Sequence, residues 1–412
     1  MRIVLSSLYP YAYMLLYMII PFDDYIRAWP NILMGVLVVA FPFVISKSDL
    51  ARIKQVPMLI LLGFFAYLVI NAALLGRFED DLSVLKKILI SVGLVLLYLP
   101  IQGINKIQKA IVFSSLAAIV FSVVHLVILA NSESGFQFGD SAMLIEGLLI
   151  DRIYLGLLCV LSILVSYSSL ESKYHPYNRY YVGNIIINVI FILFIVSRIT
   201  ILALIFLFLM GQLYRSRRGP QMMVVTGTLV LIIAGAVLLN KDFRHKLSYT
   251  DQTESTDSWL SQAMKNEPRS IIWDSAYDVA EEEGLTWMGI GFTETNKRLM
   301  AQYDQRIQDP EVLKNFQTKR YNTHNQYIDF YLASGLLGLL IFLSLLVVLF
   351  FRNFRILYPT ALLATFMIYA FVENLFHRQI GAYYAGFVFI LLCLHFGSKQ
   401  LQENNHEKPL PQ

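Results

Sequence analysis

Long apolar runs alternate with short polar segments along most of this 412-residue chain. Each run has roughly 15–25 residues, close to the length a helix needs to cross a ~30 Å hydrocarbon core. Backbone groups in lipid must pair within the protein, which an open sheet cannot achieve. We therefore predict an all-α polytopic membrane protein with about 12 transmembrane helices. The apolar runs are residues 4–22, 30–46, 57–75, 88–101, 108–130, 143–169, 182–197, 199–213, 222–239, 325–351, 356–373 and 380–397.

The stretch from 182 to 213 is too long for one span and carries a charge near its middle. As a single helix it would be about 48 Å long and would hold Arg198 near the bilayer centre. That position costs at least ~2.5–3.5 kcal/mol. We predict instead two helices with the Ser197-Arg198 turn near the membrane surface.

A long polar stretch, residues 240–323, predicts a large extramembrane loop with two or three short helices. The sequence Arg269–Glu283 follows Pro268 and precedes Gly284, which are helix start and stop signals. A second helix is predicted from about Glu294 to Arg306. The predicted division is 1–239 for transmembrane helices 1–9, 240–323 for the loop, 324–397 for helices 10–12, and 398–412 for a cytoplasmic tail.

The composition agrees with this class, and the charges suggest an orientation. The chain is 57% hydrophobic, 15% charged and has a net charge of +4, which is too apolar for a soluble protein of this size. The positive-inside rule places both termini in the cytoplasm and the 240–323 loop outside it. Topology thus accounts for the small positive charge, with no indication of nucleic acid binding. The basic residues assigned outside are Arg27, Arg77, Lys86, Lys87, Arg198 and Arg378; those assigned to the cytoplasm include Lys47, Arg52, Lys54, Lys106, Arg352 and Arg355.

Arg198, Arg269 and His324 are the principal candidates for chemistry, because this topology brings all three to the outer face. Guanidinium groups bind phosphate oxygens through a planar fork. An imidazole can take a proton from an attacking hydroxyl. The alternatives are that Arg198 is an interfacial anchor, Arg269 a solvated charge, and His324 the start of the helix that continues to Phe351 without a chemical role.

Secondary candidates are weaker. Asp151 and Arg152 lie within an apolar run, where they are predicted to form an ion pair or to contact substrate. The polar residues at the outer end of the eleventh span line a cavity or form an interfacial loop. Residues near His324 attract anionic substrate or are solvated. These further candidates are Asn325, Lys319 and Arg320 near His324, and Glu373, Asn374, His377 and Arg378 after the eleventh span.

No metal site or cofactor is predicted. Cys159 and Cys393 both lie in apolar runs and lack the spacing of metal ligands. The outer side carries no Asp-x-Asp pair, and Glu79-Asp80-Asp81 is interpreted as a solvated loop.

Two motifs resemble those of the O-antigen ligase and polymerase family of bacterial envelope enzymes. His324-Asn325-Gln326-Tyr327 is followed by Gly335-Leu336-Leu337-Gly338-Leu339, similar to the family's His-Asn and Gly-Leu-Leu-Gly pattern. Arg198, Arg269 and Gly289-Ile290-Gly291-Phe292 precede them in the family's order. The resemblance covers roughly residues 180–395. It implies a membrane glycosyltransferase fold with a large periplasmic loop.

The resemblance also implies an activity at the bacterial inner membrane. A glycan would pass from undecaprenyl pyrophosphate to an acceptor sugar, with Arg198 and Arg269 on the pyrophosphate and His324 as base or acceptor-orienting group. An inverting, metal-independent ligase acting on lipid A core is the first expectation. The alternatives are a polymerase of O-antigen, capsule or exopolysaccharide repeats and, in another class, a transporter or flippase.

Overall fold

The computed structural model describes residues 2–131, 147–171, 175–214, 268–284 and 286–396. Within them the chain is helical and contains no strand, which confirms the all-α prediction. Eleven of the twelve predicted apolar runs overlap a helix, and the twelfth, 222–239, lies outside the described residues. The helices are α1 Arg2–Ile19, α2 Trp29–Val44, α3 Lys47–Ala51, α4 Val56–Leu74, α5 Phe78–Leu97, α6 Asn105–Ala130, α7 Arg152–Ser168, α8 Asn178–Phe194, α9 Arg198–Leu213, α10 Pro268–Glu283, α11 Phe292–Arg306, α12 Pro310–Lys319, α13 Gln326–Asn353, α14 Leu357–Val372 and α15 Gln379–Phe389.

Several helices suit a membrane by length and composition. Among the described residues, four are long and apolar enough to span, and a fifth is reached if the bent pair of α2 with Lys47–Lys54 is counted as one span. Five further apolar helices are shorter, so twelve full spans remain a prediction. The four long helices are Ile3–Phe22, Val56–Leu74, Asn105–Leu129 and Gln326–Asn353.

The break predicted at Ser197-Arg198 is present. Helix α8 ends at Phe194 and α9 begins at Arg198. Between them, Val196 takes a left-handed backbone conformation with φ of +48°. Such a conformation is unfavourable for a β-branched residue and cannot continue a right-handed helix. The Arg198 guanidinium therefore lies at the start of a new helix and not in the middle of a span, where a charge would be costly.

Arg52 is predicted to be cytoplasmic and Arg77 to lie on the outer side of the membrane. The two residues flank opposite ends of α4. Before α4, Arg52 donates to the carbonyl oxygens of Leu99 at 2.8 Å and Leu394 at 3.0 Å. After α4, Arg77 donates to the Gly289 carbonyl oxygen at 2.8 Å. The 19 residues of α4 are about 28 Å long at 1.5 Å per residue. We call the end that carries Arg77 and Gly289 the loop end of the protein.

The acidic cluster Glu79-Asp80-Asp81 is not the solvated loop that was predicted. These residues form the first turn of α5, where carboxylates favour the positive end of the helix dipole. Asp81 is buried, and its carboxylate accepts a hydrogen bond from the Thr293 backbone N–H at 2.9 Å. Asp81 therefore holds the start of α11 against α5.

The predicted loop helices are present as α10 and α11, with α12 as a third. One face of α10 buries Ile272, Ala276 and Val279, and Gly284 ends the helix with a positive φ. Ion pairs join α10 and α11 in an antiparallel arrangement, including Arg298 with Glu283 at 2.9 Å and Arg306 with Asp274 at 3.3 Å. The three helices share a small hydrophobic core with Leu332 of α13, distinct from the main hydrophobic core.

Helix α13 is interrupted, although the sequence predicts one continuous apolar helix. Gly335 has φ of +75° and ψ of −176°, which opens the helix. The segment 286–291 pairs with the freed backbone: Ile290 N–H donates to Leu332 O at 2.8 Å, and Leu336 N–H donates to Thr286 O at 3.0 Å. Tyr67 of α4 also donates to Ser334 O at 2.7 Å. The loop therefore satisfies backbone groups that would otherwise be costly in a membrane.

Because other backbone segments pack closely against Gly335, we expect Gly335→Ala to destabilise the fold. A Cβ at Gly335 would lie 2.3 Å from the Trp287 carbonyl carbon, and the positive φ adds strain of about 1–3 kcal/mol. The melting temperature in detergent, followed by size-exclusion fluorescence, should fall. Gly93→Ala in α5 is the matched control, because a Cβ there meets nothing within 4 Å and should leave stability equal or slightly higher. Equal melting temperatures for Gly335→Ala and wild type would contradict the importance of the break.

Candidate active site

The site is built where α13 begins, at the loop end of the protein. Asn325 is the N-cap of α13, and its Oδ1 accepts hydrogen bonds from the backbone N–H groups of Tyr327 at 3.0 Å and Ile328 at 3.1 Å. The Asn325 N–H in turn donates to Asn374 Oδ1 at 2.7 Å. Asn325 is buried, so it fixes the start of the helix immediately after His324.

His324 is held in an unusual backbone conformation. Its φ is +42°, in the left-handed region, and its N–H donates to Asn322 Oδ1 at 3.1 Å. A non-glycine residue in this region is uncommon and costs about 1–2 kcal/mol, so the neighbouring contacts must impose it. The Tyr321 ring lies 5.5 Å from the imidazole between ring centroids. This backbone conformation marks His324 as an unusual residue, without any reference to the chemistry of its side chain.

Glu373 is the direct partner of His324. The two are joined by a contact of 3.1 Å between His324 Nδ1 and Glu373 Oε2. The Glu373 side chain is only 6% exposed, against 19% for His324. Because a carboxylate can only accept, Nδ1 carries the hydrogen and Nε2 is left for another group.

The ionisation of Glu373 is set by its neighbours. Burial alone raises the pKa of a carboxyl group, but the hydrogen bond and charge of His324, with Arg378 and Arg269, hold the pKa of Glu373 below its ordinary value. The Glu373 carboxyl group is therefore ionised at neutral pH.

Arg269, on helix α10, contacts the residue that precedes Glu373. Its Nε donates to the Val372 carbonyl oxygen at 3.3 Å, one residue before Glu373. On the same helix, Trp273 Nε1 donates to the Thr323 carbonyl oxygen at 3.1 Å, one residue before His324. Helix α10 thus contacts both segments that supply the His324–Glu373 pair, and brings a guanidinium to it.

Arg198 begins α9, also at the loop end of the protein. Thr200, two residues later, pairs with the Tyr369 hydroxyl at 2.8 Å, and Tyr369 is one turn before the end of α14. The intervening Ile199 lines the same groove as Asn325 and Val372. The three principal residues therefore gather at the loop end.

An apolar groove of about 720 Å³ opens beside His324. Asn325 is at its polar end, and the remaining lining is aliphatic, aromatic and thioether side chains. Met367 and Phe371 come from α14, and Leu339 and Leu343 from α13 beyond the Gly335 break. The other lining residues are Ile199, Trp273, Tyr327, Ile328, Ile368 and Val372.

Two secondary candidates have defined partners in the structure. Asp151 pairs with Arg378 at 3.4 Å, and its Oδ1 caps α7 by accepting from the Ile153 N–H at 2.9 Å. Asp151 lies at a helix start rather than within a span, because the helix of this apolar run begins only at Arg152. The ion pair between Asp151 and Arg152 stays a prediction.

His377 belongs to a second, buried pair. Its Nε2 lies 2.9 Å from Asp329 Oδ2, and Gln326 also donates to Asp329 at 3.1 Å. Gln326 Oε1 accepts from the Phe376 N–H at 3.1 Å. This network fastens the 373–378 segment to α13 without contacting His324. Arg320 ends α12 in a left-handed conformation, four residues before His324.

Sequence reasoning missed two side chains beside the site. Thr323 accepts from Asn374 Nδ2 at 2.8 Å, and Asp329 Oδ2 lies 2.9 Å from His377 Nε2. Within the described ranges, no group of three or more His, Cys, Asp or Glu residues is arranged to hold a metal ion.

A comparison with protein families identifies the segment that carries these residues. Residues 183–343 match the family described as O-antigen ligase. The matched segment includes Arg198, Arg269 and His324, whereas Glu373, Arg378 and Asp151 lie outside it. No curated protein matches the chain. With its apolar helices and this match, the chain is a multi-pass membrane protein in which residues 183–343 are similar to the O-antigen ligase family.

Proposed function

We propose that this protein is a membrane glycosyltransferase of the O-antigen ligase type. It moves a glycan from undecaprenyl pyrophosphate to a sugar of lipid A core. The observation that carries the proposal is the His324–Glu373 pair, 3.1 Å apart, at the polar end of an apolar groove. A base beside a lipid-sized groove suits a substrate with a reactive sugar and a polyprenyl tail.

The donor would bind with its tail in the groove and its pyrophosphate toward the arginines. Groove residues such as Leu339, Leu343 and Met367 offer the apolar surface that a polyprenyl chain requires. Arg269 and Arg198 would neutralise the negative charge that develops on the leaving pyrophosphate. Well-placed groups of this kind are worth about 3–4 kcal/mol in other enzymes. The arginines supply this charge, so we write the reaction without a metal ion or cofactor.

His324 would act as the base in a single displacement. Glu373 accepts the Nδ1 hydrogen, which leaves the Nε2 lone pair for the hydroxyl proton of the acceptor. The acceptor oxygen attacks the anomeric carbon as the bond from that carbon to the pyrophosphate oxygen breaks. The electron pair leaves with undecaprenyl pyrophosphate, and the proton stays on His324. Attack opposite the leaving group inverts the anomeric centre.

The orientation that fits this reaction places the loop end in the periplasm. Both termini would then be cytoplasmic, and the protein would span the bacterial inner membrane. The separation of Arg52 and Arg77 to opposite ends of α4 supports this orientation. At the periplasmic face, Arg320 would help attract anionic lipid-linked substrates.

The first alternative is a polymerase that joins carrier-linked repeats of O-antigen, capsule or exopolysaccharide. It uses the same donor and the same site, so only the acceptor differs. A transporter is less well supported. Interrupted helices in transporters leave backbone groups for substrate or ions, whereas the break in α13 is filled by residues 286–291.

The glycan profile of a deletion strain separates these functions. For a ligase, we expect lipid A core without attached polymer, together with accumulation of the polymer on its carrier. A core bearing a single repeat would instead indicate a polymerase. An unchanged profile of lipopolysaccharide, capsule and exopolysaccharide would contradict both glycosyltransferase functions.

Replacement of His324 tests its role as base. His324→Ala should lower transfer in isolated membranes by about 10²–10⁴-fold, because general-base catalysis is worth that much. Glu373→Gln should also lower the rate, since an amide can offer its N–H to Nδ1 and no longer fixes the hydrogen there. His175→Ala is the control, because the half-buried His175 side chain contacts Glu171 and Tyr177, which are not part of the candidate site. Wild-type transfer by His324→Ala, at equal protein level, would contradict the proposed role.

A further inference from the structure

The segment 373–378, between α14 and α15, is joined to the start of α13 by two histidine–carboxylate pairs. In the first pair, His324 before α13 contacts Glu373 of the segment at 3.1 Å. In the second, His377 of the segment contacts Asp329 of α13, with 2.9 Å between His377 Nε2 and Asp329 Oδ2. Each of the two parts of the chain therefore supplies one imidazole and one carboxylate, and the two pairs are crossed.

The His377–Asp329 pair is enclosed by protein. The side chains of His377 and Asp329 are 9% and 1% exposed, and neither residue lines the apolar groove beside His324. The Phe292 ring at the start of α11 lies 6.0 Å from the His377 imidazole between ring centroids. Any effect of this pair on the reaction must therefore act through the residues that the pair holds in place.

The Asp329 carboxylate depends on the 373–378 segment for its hydrogen bonds. Its Oδ2 accepts from Gln326 Nε2 at 3.1 Å and from His377 Nε2, whereas its Oδ1 is buried without a hydrogen-bond partner in the described part of the chain. Gln326 Oε1 in turn accepts from the Phe376 N–H at 3.1 Å. Because a buried carboxylate is tolerated only when it is hydrogen-bonded, these contacts hold residues 376 and 377 against α13.

This anchor lies one short turn from Glu373. Residues Leu375–His377 form a 3-10 turn, and the His377 N–H donates to the Asn374 carbonyl oxygen at 3.0 Å. Asn374 is also bound to the start of α13, since its Oδ1 accepts from the Asn325 N–H at 2.7 Å. Because only this turn separates His377 from Glu373, a shift of His377 would also move the backbone that carries the Glu373 carboxylate.

We propose that His377 and Asp329 are positioning residues for glycan transfer, because their pair holds the 373–378 segment so that the Glu373 carboxylate faces His324 Nδ1. The inference rests on the proposed function, in which the hydrogen bond at Nδ1 leaves Nε2 for the acceptor hydroxyl. The 3.1 Å contact between His324 and Glu373 is lost if the carboxylate moves, and a displacement of about 1 Å can cost about 10²-fold in rate. Neither positioning residue contacts substrate.

His377→Leu tests this role in the transfer reaction, because it removes the donor to Asp329 and keeps a side chain of similar size. In proteoliposomes supplied with lipid-linked glycan and lipid A core, kcat should fall about 10–100-fold. The KM values for donor and acceptor should stay within about twofold of wild type. His377→Gln should recover most of kcat, since an amide N–H can replace Nε2–H as the donor. A higher KM with unchanged kcat would contradict the positioning role by assigning His377 to substrate binding.

The tautomer of His324 provides a second measurement that needs no substrate. In nitrogen-15 spectra of histidine-labelled protein in detergent, His377→Leu should lower the ratio of Nδ1-protonated to Nε2-protonated neutral His324 about tenfold. His377→Gln should lower this ratio less. His125→Leu is the matched control, because the His125 ring also makes a hydrogen bond, at 2.9 Å to the Gly147 carbonyl oxygen, and neither residue belongs to the candidate site. This variant should leave the His324 signals unchanged.

The tautomer measurement separates this inference from the proposed function. If wild-type protein transfers no glycan, the proposed function fails, and the His324 tautomer ratio still tests the positioning role. An unchanged ratio in folded His377→Leu contradicts that role. If His377→Leu does not fold, Asp329→Asn takes its place, because it weakens the acceptor for His377 and leaves no buried charge. A lower ratio in Asp329→Asn supports the role, and an unchanged ratio contradicts it.

Discussion

A buried carboxylate governs the arrangement of the loop end. Glu373 is almost fully enclosed, and a buried charge is tolerated only when it is paired and hydrogen-bonded. Its direct partner is His324, which is held in a left-handed conformation. Arg269 approaches from the loop helices and Arg378 from the start of α15. Removing the carboxylate would leave His324 without its direct partner and would remove a negative charge near Arg269 and Arg378.

The break in α13 at Gly335 also helps to hold this arrangement in place. Because Gly335 opens α13, residues 286–291 can dock between α4 and α13, where Tyr67 donates to Trp287 O and Arg77 donates to Gly289 O. That segment joins α10 to α11, so the helix that carries Arg269 is tied to the membrane core at its far end as well as at Val372. The position of Arg269 relative to His324 therefore depends on a backbone junction remote from both.

Much of the architecture follows from the sequence, because hydropathy and the cost of buried charge act locally. The apolar runs correspond to helices, and the energetic objection to Arg198 inside a span predicted the break before α9. Arg269 and His324 could be assigned to one face for the same reason. The break at Gly335 could not be predicted, since its backbone partners lie about fifty residues earlier in the chain.

The partners of charged side chains could not be predicted from the sequence either, because they too lie far away along the chain. Asp151 and Arg152 are adjacent, yet Asp151 pairs with Arg378, which packing of α7 against α15 brings close. Asp81 resembles a solvated carboxylate until Thr293 covers it. Local polarity indicates that such residues need partners, but tertiary packing decides which partners they obtain.

The position of the hydrogen on His324 is the central element of the mechanism. Nitrogen-15 NMR of histidine-labelled protein in detergent, with the His324 signals assigned by their loss in His324→Ala, measures it directly. We expect neutral His324 to carry its hydrogen on Nδ1, toward Glu373, with Nε2 unprotonated and able to accept a proton. A neutral imidazole protonated at Nε2 would contradict the account, because its free nitrogen would face the carboxylate instead of the acceptor.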